Sequence, residues 1–339
     1  MDDVSFDELT AQLDAMAADT AFSGVFRIDD SDHTVTKAYG FADRRFSIPN
    51  TPSTLFAVAS CTKSITAAAV LALIEDGALA FDTTARSLLG ADLPLIDDRV
   101  TVEHLLTHRS GIGDYLDEDE LGPTDYVMPV PVQRFVDANS YLQVLGGYPQ
   151  VFEPDTRFAY NNGGFVVLAI LAERACGAPY HQLVTDRVLV PAGMHRSGFV
   201  RSDEVPSDAA TGYIDSKGSQ TNTLHMPLLG VGDGGLYSSA DDISSFWAAF
   251  TAGRIVSTAM VERATQPRPA TDGFRYGMGF WMPENGPAVQ MEGADAGVSF
   301  RSTHDPVRGR TVTVMSNTGE GAWPLVVHAA KSFFSTTPR

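Results

Sequence analysis

A helix that is apolar almost all the way round has to be covered on every side. The stretch Phe56–Leu79, FAVASCTKSITAAAVLALIEDGAL, reads as such a helix. Apolar side chains run through Ala67, Val70, Leu71 and Ile74, and Gly77 supplies a stop. This element belongs at the centre of a fold rather than on its surface. Its first turn nevertheless carries Ser60 and Lys63, and the chain has only four lysines. At i and i+3 the two side chains share one face. A lysine at the start of a buried helix is itself buried, which is rare without a partner or a function.

The chain of 339 residues is longer than one typical core requires, so two lobes or one domain with an insertion are expected. Phe6, Leu9, Leu13 and Met16 fall at helical spacing near the start. Two β-rich runs then flank Asp29-Asp30-Ser31-Asp32, a hairpin signature. From residue 81 to 225 strand signals fade, and helical segments such as TVEHLLTHRSG, VQRFVDANSYLQVL and GGFVVLAILAERACG take over. Strand candidates return in YGMGFWMP, PAVQMEG, GVSFRSTHD and RTVTVMSN, and a last helix spans roughly Ala322 to Phe334. The order predicts an α+β (or α/β) fold. One sheet is built from residues 1–80 and 226–339, with a mostly helical lobe of residues 81–225 inserted and a site between them.

The pair in the first turn suggests chemistry. A serine hydroxyl is a poor nucleophile until a base takes its proton. A lysine can be that base if burial lowers its pKa. The helix N-terminus disfavours an ammonium and stabilises negative charge developing at the serine. The Ser60 N–H can form half of an oxyanion hole. A second feature, Tyr160-Asn161-Asn162, precedes a glycine pair and an apolar helix and is expected in a loop. Tyr160 is a candidate general base if a cation lowers its pKa, and an asparagine amide can hold a lysine or a substrate carbonyl.

The net charge of −18 disfavours nucleic acid and anionic membranes as partners. No apolar run is long enough to span a bilayer, and the acidic N-terminus lacks the features of a secretory signal, so a cytoplasmic location is expected. Two cysteines, Cys61 and Cys176, suggest a reducing compartment. No spacing resembles a metal site, and His104 and His108 read as structural.

Ser60-Cys61-Thr62-Lys63 followed about a hundred residues later by Tyr160-Asn161-Asn162 resembles the serine β-lactamase and penicillin-binding-protein superfamily. The class C β-lactamase-related branch is the most similar, and it also holds esterases, D-aminopeptidases, D-Ala-D-Ala carboxypeptidases and acyltransferases. TVEHLLTHRSGIGDY, AILAERACGAPYHQLVTDRVLVPAGM, GVGDGGLYSSADDISSFWAAF and YGMGFWM extend the resemblance over nearly the whole chain. It implies an antiparallel sheet flanked by helices, Ser60 as acylated nucleophile, Lys63 as its activator and Tyr160 as proton shuttle. Asn162 would contact Lys63 or substrate. No metal or organic cofactor is implied, and the partner is a small ester or amide.

The third motif departs from the family's. Alignment on GVSF puts Met291-Glu292-Gly293 where the family has Lys-Thr-Gly or His-x-Gly. Gly293 fits, and Ala294 would give the second oxyanion N–H. Met291 cannot supply the family's positive charge, which disfavours carboxylate-bearing substrates. Glu292 either holds a substrate amine or is a solvated or structural charge. The expected function is a serine esterase or amidase. The alternatives are an acyltransferase, a β-lactamase or carboxypeptidase, or a non-catalytic binding domain. The loops GDYLDEDELGPTDYVMPVPVQ and HMPLLGVGDGG are expected to wall the pocket, the first of them as a lid.

Overall fold

The computed structural model describes residues 5–31, 33–118, 122, 124–271 and 273–334. Asp32 of the hairpin signature, and residues 119–121 and 123 of the acidic loop, lie outside them. Helix α1 (Phe6–Asp19) starts at Ser5, whose hydroxyl accepts from the Glu8 N–H. Strands β1 (Gly24–Asp30) and β2 (His33–Tyr39) pair antiparallel. The C-terminal part adds β3 (Arg268–Pro269), β4 (Phe274–Tyr276), β5 (Trp281–Pro283), β6 (Val289–Asp295), β7 (Val298–Asp305) and β8 (Arg310–Ser316). One antiparallel sheet results, in the order β2-β1-β8-β7-β6-β5-β4-β3. Both ends of the chain therefore meet where β1 pairs with β8.

Strand alternation divides the core. Phe26, Ile28, Val312 and Val314 face α1 and the last helix, α5 (Trp323–Phe333). Val25, Met291, Phe300 and Met315 face the larger core, which is built around α2 (Thr62–Glu75). Every residue from Thr62 to Leu73 of α2 is buried. Helices α3 (Asn162–Cys176) and α4 (Ala240–Thr251) belong to the same core. Truncating one large side chain in such a core costs about 2–5 kcal/mol.

Two expected elements are subdivided. YGMGFWMP is not one strand, because the Gly277 N–H donates to the Phe280 carbonyl and the intervening turn is pressed onto α2. Gly279 adopts φ +84°, and a Cβ there would lie 2.4 Å from the Ala67 Cβ. The Ser64 hydroxyl donates to the Gly279 carbonyl at 2.6 Å. VQRFVDANSYLQVL forms two 3₁₀ turns, Val132–Arg134 and Asn139–Tyr141, and a single turn of α-helix, Leu142–Leu145. Here Ser140 Oγ accepts from the Val136 and Asp137 N–H groups, and Asp137 accepts from the Ser140 N–H. Those local bonds replace the helical ladder.

Candidate active site

The nucleophile position is built by a left-handed alanine. Ala59, with φ +45°, precedes Ser60 at the head of a 3₁₀ turn, Ala59–Cys61, that runs into α2. That conformation costs an alanine about 1–2 kcal/mol. Thr62 Oγ1 holds it, donating to the Ala59 carbonyl at 2.7 Å and accepting from the Leu236 N–H at 3.2 Å.

Lys63 is 2% exposed. Its Nζ lies 2.9 Å from Ser60 Oγ, 2.7 Å from Asn162 Oδ1 and 2.8 Å from the Asp233 carbonyl oxygen. The last two atoms can only accept. A free amine has two N–H donors for them and a lone pair left for the Ser60 hydroxyl. Burial pushes the Lys63 pKa down, against the opposing pull of Asp233, Glu118, Asp114 and Asp295.

The second feature is shared between a loop and a helix start. Asn161 caps α3, its Oδ1 accepting from the Gly164 N–H at 2.6 Å, and Asn162 is the first helical residue. Asp114 takes the N–H groups of Asn162 and Gly163 at 2.6 and 2.8 Å. Burial raises its carboxyl to about 6 against those bonds. Asn162 Nδ2 donates to the Leu116 carbonyl and to Glu118, both at 2.9 Å.

The Tyr160 ring centroid lies 5.0 Å from Lys63 Nζ, and Trp281 and His108 pack on the ring. Burial, then Glu118, hold its phenol well above the usual range, with a hydrogen bond to Ser60 acting the other way. The expected lowering by a cation is thus not the dominant effect, and the resting phenol is neutral.

At the third motif, β6 passes directly over the nucleophile turn. A Cβ at Gly293 would lie 2.1 Å from the Val58 carbonyl oxygen and 2.9 Å from the Ser60 nitrogen. Met291 and Glu292, the other candidates at this motif, face away from the cavity. Met291 is fully buried in the core and is not among the residues that line the cavity. Glu292 points to the opposite face of the sheet, as alternation requires. There it pairs with Arg301, its cross-strand neighbour on β7, and the Arg301 guanidinium sits 5.6 Å from the Trp323 ring of α5. The pair with Arg301 supports the reading of Glu292 as a structural charge rather than as a partner for a substrate amine. Glu292→Gln is therefore expected to change kcat/KM for amino-bearing and neutral acyl donors by the same factor, within about twofold, as an assay of both substrates will show.

Ala294 and Asp295, just past Gly293, do reach the cavity. This cavity, of about 240 Å³, opens at Ser60 and Asn162. Tyr115, Tyr126 and Met128 come from the first of the two wall loops, and Met226 and Asp233 from the second. Glu118, Asp233 and Asp295 put three carboxyl groups on its lining, and no lysine or arginine lines it among the described residues. Asp233 accepts from the Tyr115 hydroxyl at 2.5 Å. Burial raises the Asp295 carboxyl to about 7. None of these acids stands out in the sequence. Only the glycines flanking Asp233 hint that backbone closes around it: a Cβ at Gly232 would lie 2.1 Å from the Phe165 carbonyl oxygen.

The family model for Beta-lactamase matches residues 9–332. The chain belongs to the Beta-lactamase family. A crystal structure of a penicillin binding protein from Bacillus halodurans superposes with a TM-score of 0.89 at 33% identity, over 94% of this chain and 99% of that one. PbpX of Bacillus subtilis, named for penicillin binding, is 32% identical over 77% of this chain. Esterase EstB of Burkholderia gladioli is 32% identical over 61% of it. The chain spans 62% of PbpX and 59% of EstB, less than two thirds of either. Within the Beta-lactamase family, then, this chain is similar both to a protein named for penicillin binding and to one named as an esterase. Among its described residues no helix is long and apolar enough to cross a membrane.

Proposed function

We propose that the protein is a serine hydrolase that cleaves an ester or amide through an acyl-Ser60 intermediate, and that its acyl donors are neutral or cationic. The observation that carries this is the Lys63 amine, buried and held by two obligate acceptors with its third partner the Ser60 hydroxyl. Lys63 takes the Ser60 proton as Oγ attacks the carbonyl carbon. The Ser60 and Ala294 N–H groups, brought together by the close approach of Gly293, receive the oxyanion. Tyr160, a neutral phenol beside Ser60 and Lys63, gives a proton to the leaving group and takes the Ser60 proton from Lys63 in return; water then attacks the acyl carbon as Lys63 accepts its proton, and Ser60 Oγ leaves carrying that proton back from Lys63. The similarity to EstB supports ester cleavage.

The charge of the cavity supports the rest. Its lining acids, of which Asp233 and Asp295 are raised above the usual carboxylate range by burial, repel a carboxylate-bearing acyl group, such as a β-lactam carries, and attract a cation once they ionise. For p-nitrophenyl esters of fixed charge, kcat/KM for a trimethylammonioacetyl ester is expected to exceed that for a succinyl half-ester by at least about tenfold at pH 8, equivalent to 1.4 kcal/mol. Asp295 is protonated below about 7 and charged above it, so the ratio should grow as the pH rises from 6 to 8. Equal rates, or a faster succinyl ester, would refute the charge preference.

A further inference from the structure

His108 lies behind Tyr160, in a turn at φ +54°. It is 1% exposed. Its main-chain carbonyl accepts from the Ala159 N–H at 2.9 Å, and its Nδ1 accepts from the Asn161 N–H at 3.1 Å. These two bonds hold the residues on either side of Tyr160. The imidazole also packs on the Tyr160 ring at 4.5 Å between centroids, and on Tyr276 and Phe165.

With Nδ1 accepting, the proton belongs on Nε2, and Nε2 is buried without a hydrogen-bond partner. An unpaired buried donor costs about 1–3 kcal/mol. An aromatic hydrocarbon would fill the same space among these rings without the unpaired donor, at the backbone strain of a bulky residue at φ +54°. What only an imidazole or a side-chain carbonyl offers here is an acceptor for the Asn161 N–H.

We propose that His108 is a positioning residue for the reaction: its carbonyl and its Nδ1 together fix the backbone on both sides of Tyr160, and so the placement of the phenol against Ser60 and Lys63. This rests on the reading of Ser60 as nucleophile and Tyr160 as proton donor. Asn161 caps α3 and Asn162 holds Lys63, so the same clamp also sets the start of the helix that presents Asn162.

Two variants separate positioning from packing. His108→Phe keeps a ring but removes the Nδ1 acceptor. His108→Asn loses the ring but places Oδ1 near the position of Nδ1, and asparagine tolerates φ above zero. With a neutral p-nitrophenyl ester, His108→Phe is expected to lower kcat at least about tenfold with KM within about threefold, and to change the pH profile of kcat. His108→Asn is expected to keep kcat within about threefold of wild type, although its Tm falls further than that of His108→Phe. Activity that follows Tm, with the asparagine variant the poorer enzyme, would overturn the proposal. So would full kcat in His108→Phe. If only one variant folds, its own kcat decides in the same sense. Fluorophosphonate labelling of wild-type Ser60 is run alongside. An unlabelled Ser60 would count against the serine-hydrolase reading itself, whereas a labelled wild type with the wrong variant ranking would count against His108 alone.

Discussion

Replacing Lys63 with arginine is expected to slow acylation of Ser60 by about 10³-fold. Arginine keeps the positive charge and can still donate toward Asn162 Oδ1 and the Asp233 carbonyl. It cannot release a proton at any accessible pH. If Lys63 acted only as a fixed cation, the variant would retain much of the rate. The pH dependence adds a second readout. Burial lowers the Lys63 pKa, so the free amine appears below the usual lysine range. The wild-type acylation rate should rise with pH through that lowered pKa, and the residual rate of Lys63→Arg should not. Stability moves in the same direction. Between the lowered and the ordinary pKa the unfolded chain binds more protons than the folded one, so this group's contribution grows as the pH rises across that window. Stopped-flow acylation with an activated ester, run against pH beside thermal melts, tests both.

The second large effect is expected at Gly293. A methyl group there would meet the Val58 carbonyl oxygen at 2.1 Å, the Ser60 nitrogen at 2.9 Å and the Cys61 nitrogen at 3.0 Å. All three are backbone atoms, so no side-chain rotation relieves the clash. Either β6 or the nucleophile turn has to shift. A displacement of about 1 Å at an acyl-transfer site costs about 10²-fold in rate. Gly293→Ala should therefore lose about 10²-fold in kcat and about 1–3 kcal/mol of stability by overpacking. Ala294 and Asp295 follow on the same strand end, so the variant should also change the ratio of cationic to neutral substrates. Steady-state kinetics on both substrate types, with a melt of each protein, will separate the catalytic loss from the stability loss.

Much of this site can be read from local pattern. Ser60 and Lys63 meet because of helical spacing, and the apolar run behind them forces that helix inside. Asn161 caps a helix that Asn162 opens, and the helix is plain in the sequence. Gly293 is placed by the family resemblance, through the alignment on GVSF, and the close backbone approach there explains why a glycine fits. What stays hidden depends on contacts between distant segments. Glu292 faces the far side of the sheet because the strand phase is set by Met291 and Gly293 packing inward, and its partner Arg301 lies on another strand. Asp233 and Asp295 become cavity acids only after loops remote in sequence close over α2. His108 reads as structural until its two bonds around Tyr160 are seen. The VQRFVDANSYLQVL segment keeps a helical composition, but Asp137 and Ser140 divert its hydrogen bonds.

The nucleophile itself can be tested in one measurement. Intact-protein mass spectrometry after treatment with a fluorophosphonate should show a single adduct, mapped by peptide digestion to Ser60, and Ser60→Ala should show none under the same conditions. An unmodified wild-type protein, or an adduct of the same yield in Ser60→Ala, would contradict the acyl-Ser60 mechanism.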